Sequence, residues 1–483
     1  MPRRATSSTC RSQRAAPSRL AASWSGARRE SSKGEGVGLP GPGEHTLSSA
    51  AQQSVTQEAE RINTGGFFVQ QMLEVRDRYF LTGGVRVDGS SAFGKDFGLE
   101  VYPKVSASYV ISDEPFWPES FGDVKLRAAY GFAGRAPGAF DAVRTWEAQS
   151  FRDQTAFEPD NVGNPDLGPE RTGELEVGFD GAFLDQRLTL DFTYYHQTTT
   201  NALLNVGQTP SLGFGGNQLE NVGKLRNTGF EIGAEYTVLN RPNVTWRLGT
   251  DISTNDSEIL DMGGVVDYDF VEGQPIGLQR GARITNPDEL ADPIYELDAF
   301  LGPTEPTHTI GLNTTFQLPR GITVSARGEY VAGHWGRDFS SNLMAQRTGL
   351  GALGCDHVYQ IIPHDGSYEG PGDDHPNLDQ VRAKDRALCF TNSRADAWNL
   401  PKDFAALREV SVQAPVPFAV PGVESAFVTG SVQNLFRWVN SEFYSHDPES
   451  TGSGAQITNL TGGQITDHVP APATATVSVR VTF

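Results

Sequence analysis

Histidine and acidic residues are concentrated in one long polar segment, where they have the chemistry to ligate a metal ion. His364 precedes Asp365, residues 373–375 read Asp-Asp-His, and His334 and His357 lie earlier in the segment. Imidazole and carboxylate groups are common metal ligands. A solvated acidic loop is the more frequent role of such a stretch, and no zinc-ligand spacing is present. We therefore expect no metal, no cofactor and no catalytic centre, and the sequence does not predict an enzyme.

The chain has three cysteines, Cys10, Cys355 and Cys389. Cys355 and Cys389 flank the polar segment, and in an oxidising compartment they could form a disulfide within a loop. Two free thiols are the alternative, and the spacing does not decide between the two states.

Three tryptophans, Trp335, Trp398 and Trp438, have the flat rings needed to stack on a sugar or another ring-bearing ligand. A place in an aromatic girdle at a membrane surface, or in the core of a loop, is equally consistent with the sequence. The tryptophans alone therefore assign no ligand.

Composition bounds the class of protein that positions these residues. The 483 residues include 53 glycines, only 37% are hydrophobic, and the mean hydropathy is −0.38. There is no run of apolar residues long enough for a membrane-spanning helix. The formal net charge of −20 argues against nucleic acid as a partner, because phosphate binding needs a basic surface.

The positioning elements are predicted to be β-strands. Residues 473–483 read ATATVSVRVTF, so apolar and polar residues alternate strictly. Because successive side chains of a strand point to opposite faces, one face is apolar and the other polar. The same alternation recurs along the chain, for example at residues 175–180, 188–194, 230–238, 246–253 and 322–330.

A strand of this length can cross a bilayer when it is tilted. Four aromatic residues fall near strand ends, as in an interfacial girdle: Tyr194, Tyr236, Tyr330 and Phe483. A soluble sandwich, whose apolar faces pack against a second sheet, is the alternative. The pattern favours the membrane barrel.

Connection lengths also favour a barrel. Short turns are predicted at residues 180–186, 239–243 and 319–321. Long polar segments are predicted at residues 133–171, 199–225, 256–305, 333–403 and 434–472. Short turns on one rim and long loops on the other are typical of outer-membrane barrels. We expect about fourteen strands between residues 67 and 483. A sheet of that many strands usually closes into a barrel, because closure removes its unpaired edges.

Several blocks resemble TonB-dependent outer-membrane receptors of the SusC/RagA type. The most specific is residues 164–171 (NPDLGPER), similar to the NPxLxPE element of the receptor barrel. Residues 77–94, 102–109 and 124–131 look like barrel strands of that family, and residues 432–436 (VQNLF) resemble its penultimate-strand turn. Phe483 matches the terminal Phe that the barrel-assembly machinery recognises in such proteins. Together these blocks span residues 60–483.

The resemblance implies an all-β fold: a transmembrane antiparallel β-barrel, incomplete, with about fourteen strands where the receptors have about twenty-two. It implies uptake of a large nutrient, such as an oligosaccharide, peptide or metal chelate, across the outer membrane of a Gram-negative-type bacterium. The implied partners are outer-membrane lipid, the TonB–ExbB–ExbD complex acting through a plug domain, and a surface lipoprotein. No plug domain is recognisable in the sequence.

The first 45 residues differ from the rest. They are rich in Arg and Ser and contain no apolar core of a secretory signal. They have too little apolar surface to offset the entropy of ordering. Residues 1–45 are therefore predicted to be a disordered or artefactual leader, and residues 46–483 the carboxy-terminal part of a receptor barrel. The alternatives are a soluble extracellular β-rich carbohydrate-binding protein and a non-functional truncated gene product.

Overall fold

The computed structural model describes residues 14–15, 19–38, 46–95, 98–151, 154–207, 211, 217–265, 270–346, 355–390, 394–417, 422–445, 447–449 and 470–483. Within these residues, no helix is both long and apolar enough to cross a membrane. Strands are the main element. In chain order the strands and α-helices are β1 (Arg14–Ala15), β2 (Arg19–Val37), β3 (Gln52–Val75), β4 (Tyr79–Ser90), β5 (Glu100–Val110), β6 (Asp123–Arg135), β7 (Thr145–Phe151), β8 (Gln154–Asn161), β9 (Glu170–Phe183), β10 (Leu188–Thr200), β11 (Leu203–Gly207), β12 (Asn217–Asn221), β13 (Lys224–Arg241), β14 (Val244–Thr254), β15 (Asp256–Asp261), β16 (Leu278–Ile284), β17 (Tyr295–Pro303), β18 (His308–Leu318), β19 (Ile322–Ala332), β20 (Trp335–Arg337), α1 (Phe339–Gln346), α2 (Asp356–Tyr359), α3 (Ala383–Leu388), β21 (Asn399–Pro401), β22 (Phe404–Pro415), β23 (Ser425–Val439) and β24 (Thr474–Thr482).

One antiparallel sheet of sixteen strands dominates the fold. Its strands follow in the order β1-β3-β4-β5-β6-β9-β10-β13-β14-β18-β19-β22-β23-β24, while β2 also pairs with β3 and β15 with β13. From β3 to β24 this order contains thirteen strands, and β15 makes fourteen, which agrees with the prediction of about fourteen. The all-β, antiparallel prediction is therefore confirmed. The sheet is not closed, because no ladder joins β2 to β24 within the described residues.

Strand β2 corrects part of the expectation for the amino-terminal segment. Residues 1–45 are predicted to be disordered, yet Arg19–Val37 pairs along its whole length with residues 52–70 of β3. Backbone groups make this pairing, so it needs little apolar side-chain surface. The remaining part of the predicted leader lies outside the described residues, apart from Arg14–Ala15 and Gly38.

Connections alternate in length around the sheet, as predicted. On one rim, two residues (242–243) join β13 to β14, and Pro319–Gly321 joins β18 to β19. On the opposite rim, long segments join β6 to β9, β10 to β13, β14 to β18, β19 to β22 and β23 to β24. The turn predicted at residues 180–186 is shorter than expected, because β9 continues to Phe183 and β10 begins at Leu188.

Strand register places apolar side chains next to one another on a single face of the sheet. Val177 lies opposite Tyr194. The same register recurs on later strands, as in the neighbouring residues Ile232, Ile252, Ile310 and Tyr330 and, at the far edge, Val428 and Val479. The intervening residues of each strand form the opposite, polar face. The apolar face thus extends from β3 to β24, and many of its side chains are exposed, including Phe67, Val177, Leu248, Leu312, Val412 and Val479.

Aromatic side chains lie at both ends of this apolar face. At the short-turn end, the rings of Trp246 and Phe316 are stacked with centroids 5.1 Å apart. At the long-loop end, the rings of Tyr330 and Trp438 are 6.4 Å apart. This is the distribution expected of rings that lie at the two interfaces of a bilayer.

The long-loop rim carries a second core, named here the rim cluster (residues 278–303, 335–346, 355–390, 394–401 and 440–445). Its buried apolar residues include Phe390 and Trp398, which have no exposed surface. A disulfide joins Cys355 to Cys389, with 5.7 Å between the Cα atoms. Segments from three different long connections therefore share one core above the sheet.

Val479→Arg tests the lipid-facing assignment. Because Val479 is on the apolar face, a guanidinium there should destabilise the membrane-inserted chain by roughly 2–4 kcal/mol if it lies near the bilayer midplane. Thr476→Arg, on the opposite face of the same strand, is the matched control and should be mild. Urea unfolding of both variants in lipid vesicles measures the difference, and equal tolerance would contradict the assignment.

Cys355→Ser tests the contribution of the disulfide, which links residues 34 apart in sequence. Loss of a crosslink over such a loop should destabilise the rim cluster by about 3–4 kcal/mol in the chain-entropy model. Limited proteolysis of the folded chain, with cleavage sites mapped by mass spectrometry, should show new cuts within residues 355–390 and none in the sheet. Cys10→Ser is the control, and a cluster as resistant as the parent's would contradict the prediction.

Candidate functional site

The polar face of the sheet, named here the polar wall, is one of the surfaces that could contact a solute. Asp251 lies between two glycines of neighbouring strands, Gly233 and Gly311. A Cβ atom on either glycine would come within 3.8 Å of a carboxylate oxygen of Asp251, so the glycines leave that carboxylate accessible. Backbone register continues this row across seven strands, as Lys125, Asp180, Asp191, Gly233, Asp251, Gly311 and Glu329.

Arg127 forms ion pairs with two carboxylates of this row. Its guanidinium forms ion pairs with Asp180 (Nε to Oδ1, 3.0 Å) and Asp191 (Nη2 to Oδ2, 2.6 Å). The same Nη2 donates a hydrogen bond to Thr193 Oγ1 at 2.8 Å, and Lys125 Nζ is 3.4 Å from Asp180 Oδ2. The wall therefore presents fixed charges and hydroxyls, which suits contact with a hydrated solute.

A second ion network ties a long connection to the polar wall. Arg437 on β23 pairs with Asp447 (Nη1 to Oδ2, 2.6 Å) and with Glu449 (Nη2 to Oε2, 3.1 Å). Arg408 on β22 pairs with both Glu449 and Glu329. The segment that follows β23 is thereby anchored to the polar face.

The predicted loop histidines occupy different environments and form no shared site. His334 is buried, and burial together with the nearby Lys402 lowers its pKa to about 3, so the imidazole is neutral. His357 Nε2 is 3.7 Å from Asp385 Oδ2, and the His364 ring lies 4.8 Å from that of Tyr359. Among the described residues, no group of three His, Cys, Asp or Glu side chains is arranged to hold a metal ion.

The three tryptophans also lie in different parts of the structure. Trp398 is fully buried in the rim cluster, and Trp438 lies on the apolar face beside Tyr330. Trp335 is partly exposed and lines a cavity of the rim cluster. Of the three, only Trp335 is placed where a ring could contact a solute.

Sequence reasoning missed Asp338, a buried carboxylate that organises the rim cluster. It accepts hydrogen bonds from the backbone N–H of Ser341 (3.1 Å) and from the N–H (2.8 Å) and hydroxyl (2.6 Å) of Ser445. The bond to Ser341 is an N-cap contact, because Asp338 immediately precedes α1. An Asp immediately before a helix is a sequence signal for the N-cap contact with Ser341. No sequence signal indicates the contact with Ser445.

Phe483, the predicted barrel-terminal signal, directly follows β24 and is 88% exposed. Its recognition by an assembly machinery stays a prediction.

Comparison with known proteins identifies the fold. The family model described as "TonB dependent receptor-like, beta-barrel" matches residues 20–361. The chain is 33% identical over 239 residues to TonB-dependent receptor P26 of Formosa agariphila, an alignment that covers 48% of this chain and 24% of that protein. It is 27% identical over 226 residues to TonB-dependent receptor SusC of Bacteroides thetaiotaomicron, covering 44% of this chain and 22% of that protein.

Among solved structures, the RagAB peptide transporter superposes with a TM-score of 0.74 at 16% sequence identity. The superposition covers 96% of this chain and 53% of the transporter chain, so this chain spans about half the length of that neighbour. At this identity the likeness concerns the fold alone. Because the family model covers well over half of the residues, the chain belongs to the family of TonB-dependent receptor-like β-barrels.

Proposed function

We propose that this chain forms the carboxy-terminal barrel portion of a TonB-dependent transport receptor of the SusC/RagA type. The receptor would take up a large nutrient, such as an oligosaccharide, a peptide or a metal chelate, across the outer membrane of a Gram-negative-type bacterium. The family match over residues 20–361 carries this proposal. The blocks at residues 164–171 and 432–436 support the subtype.

The two faces of the sheet fit this role. Exposed apolar side chains such as Leu248 and Val412 would contact lipid, because continuous ladders pair the backbones of their strands, apart from a bulge between β19 and β22. The polar wall, with Arg127 and Asp251, would line the path of the solute. A soluble carbohydrate-binding protein would leave this apolar face in water, where patches of such size mark interaction surfaces.

Energy for uptake would come from the TonB–ExbB–ExbD complex through a plug domain, and a surface lipoprotein would cooperate at the long-loop rim. These partners belong to the proposal through family membership alone.

Deletion of the coding region in the source bacterium tests the transport role. We expect uptake of at least one labelled oligosaccharide, peptide or ferric chelate to fall to the level of a strain that lacks TonB. Return of the gene should restore that uptake. Unchanged uptake of every TonB-dependent nutrient in the deletion strain would contradict the proposal.

Arg127→Met tests the polar wall. Loss of the guanidinium leaves Asp180 and Asp191 directly opposite each other, and like charges in that position repel. Because the site is partly exposed, we expect a loss of about 1–2 kcal/mol in the free energy of unfolding. Urea titration of the detergent-folded chain measures it. The control is Arg247→Met, a change on β14 that also lies on the polar face of the sheet. An equal effect of both changes would contradict the prediction.

A further inference from the structure

A cavity of about 630 Å³ lies within the rim cluster. Its walls come from the β16–β17 hairpin, the β20–β21 pair, α3 and the segment that follows β23. The volume is within the range of roughly 300–1,000 Å³ that small-molecule sites occupy.

Fixed elements hold the walls in place. Leu388 and Cys389 carry the end of α3 into the buried core, where the disulfide attaches it to Cys355. Beside Trp335, a Cβ atom on Gly302 would lie only 2.1 Å from Cδ1 of the indole. The indole therefore packs directly on the backbone of Gly302, which only glycine allows. A preformed cavity spares a ligand the cost of ordering its site.

Charged side chains that line the cavity are already paired. Lys384 Nζ lies 2.9 Å from Glu442 Oε1, and Arg382 Nε lies 3.0 Å from Asp385 Oδ2. The lining contains as many carboxylates as Lys and Arg side chains: Asp288, Asp385 and Glu442 against Arg283, Arg382 and Lys384. Each of these cations is bonded to a carboxylate, Arg283 to Glu296 outside the lining, so a free anion would find no unpaired cation among them.

Aromatic and apolar groups complete the lining. Trp335 and Tyr444 both border the cavity, together with Leu301 and Leu400. Burial raises the pKa of Tyr444 to about 12, so its phenol is neutral at physiological pH. The cavity thus offers a flat ring, a neutral hydroxyl, and hydrogen-bond donors placed beside acceptors.

We propose that this cavity binds a neutral, hydroxyl-rich ring, namely one unit of a saccharide. A sugar hydroxyl both donates and accepts, so it can bridge an ammonium and its paired carboxylate, while the C–H face of the ring packs on Trp335. The inference rests on the proposed function in placing this rim at the cell surface, and it deepens that function by naming the class of solute captured there.

A peptide fits the cavity less well. Peptide sites commonly use a free strand edge or charges reserved for the termini. Among the described residues, the β16–β17 and β20–β21 pairs have no further partner strand, but the cations Arg382 and Lys384 are already bonded to carboxylates, so neither is reserved for a peptide terminus. Peptide binding is therefore an outcome that would count against the assignment.

Calorimetric titration of the full chain, folded in detergent, tests the proposal. The probes are maltotriose, cellotriose, xylotriose and mannotriose, with trialanine and inorganic phosphate as comparators. At least one trisaccharide should bind with a one-to-one ratio. Trp335→Ala should weaken that binding about tenfold, the effect of one lost stacking contact. Trp146→Ala, on the β7–β8 hairpin of another long connection, is the matched control and should bind as the parent does.

A second variant guards against misfolding of Trp335→Ala. Ser441 lines the cavity and its side chain is exposed, so Ser441→Trp fills the space without removing a contact of the core and should abolish binding. Failure of all four trisaccharides to bind, parent-like binding by Ser441→Trp, or trialanine binding that Ser441→Trp blocks would each overturn the proposal.

The titration contains no TonB complex, so it separates this inference from the transport proposal. Saccharide binding by a chain whose deletion leaves uptake unchanged would refute transport alone. TonB-dependent uptake by a chain whose cavity binds no saccharide would overturn the cavity assignment alone.

Discussion

Backbone hydrogen bonding in a medium without water is the constraint on which this structure depends. In lipid an unpaired N–H or C=O group costs several kcal/mol, so each strand inside the sheet pairs with both neighbours, and among the described residues only β15 and the strands at the two ends of the sheet have a single partner. Pairing fixes the register, and register fixes which residues share a face. A shift of one residue in β10 would exchange Phe192 and Thr193 between lipid and lumen. The apolar face, the aromatic ends and the polar wall all follow from this single requirement.

Local patterns therefore predicted the sheet well. Alternation at residues 188–194 and 230–238 identified β10, β13 and their faces, because alternation within a single strand shows which residues share a face. The turn at residues 180–186 was placed too early because Asp180 and Gly181 resemble turn residues. In the structure Asp180 is a wall residue on β9 paired with Arg127 on β6, and no local pattern contains this contact because β7 and β8 lie between the two strands in sequence.

Contacts between distant segments were the part that could not be predicted. Strand β2 has no apolar pattern and exists because β3 offers it a backbone partner. The cavity of the rim cluster is assembled from three long connections, and the hydrogen bonds between Asp338 and Ser445 join residues 107 apart. Polar loops carry no periodicity from which such a core could be read. Prediction thus succeeded for the scaffold, whereas the contacts that assemble the candidate site have no signal in the local sequence.

The composition of the rim cluster has a consequence for the order of folding. Its core needs Ala282 from the connection before β18, Trp398 from the connection before β22, and Phe443 from the segment after β23. Contacts between residues so far apart close only after the intervening strands have come together, because loop closure costs entropy that later contacts must offset. The cluster is therefore expected to form last, and its completion would mark a chain whose final strands have docked.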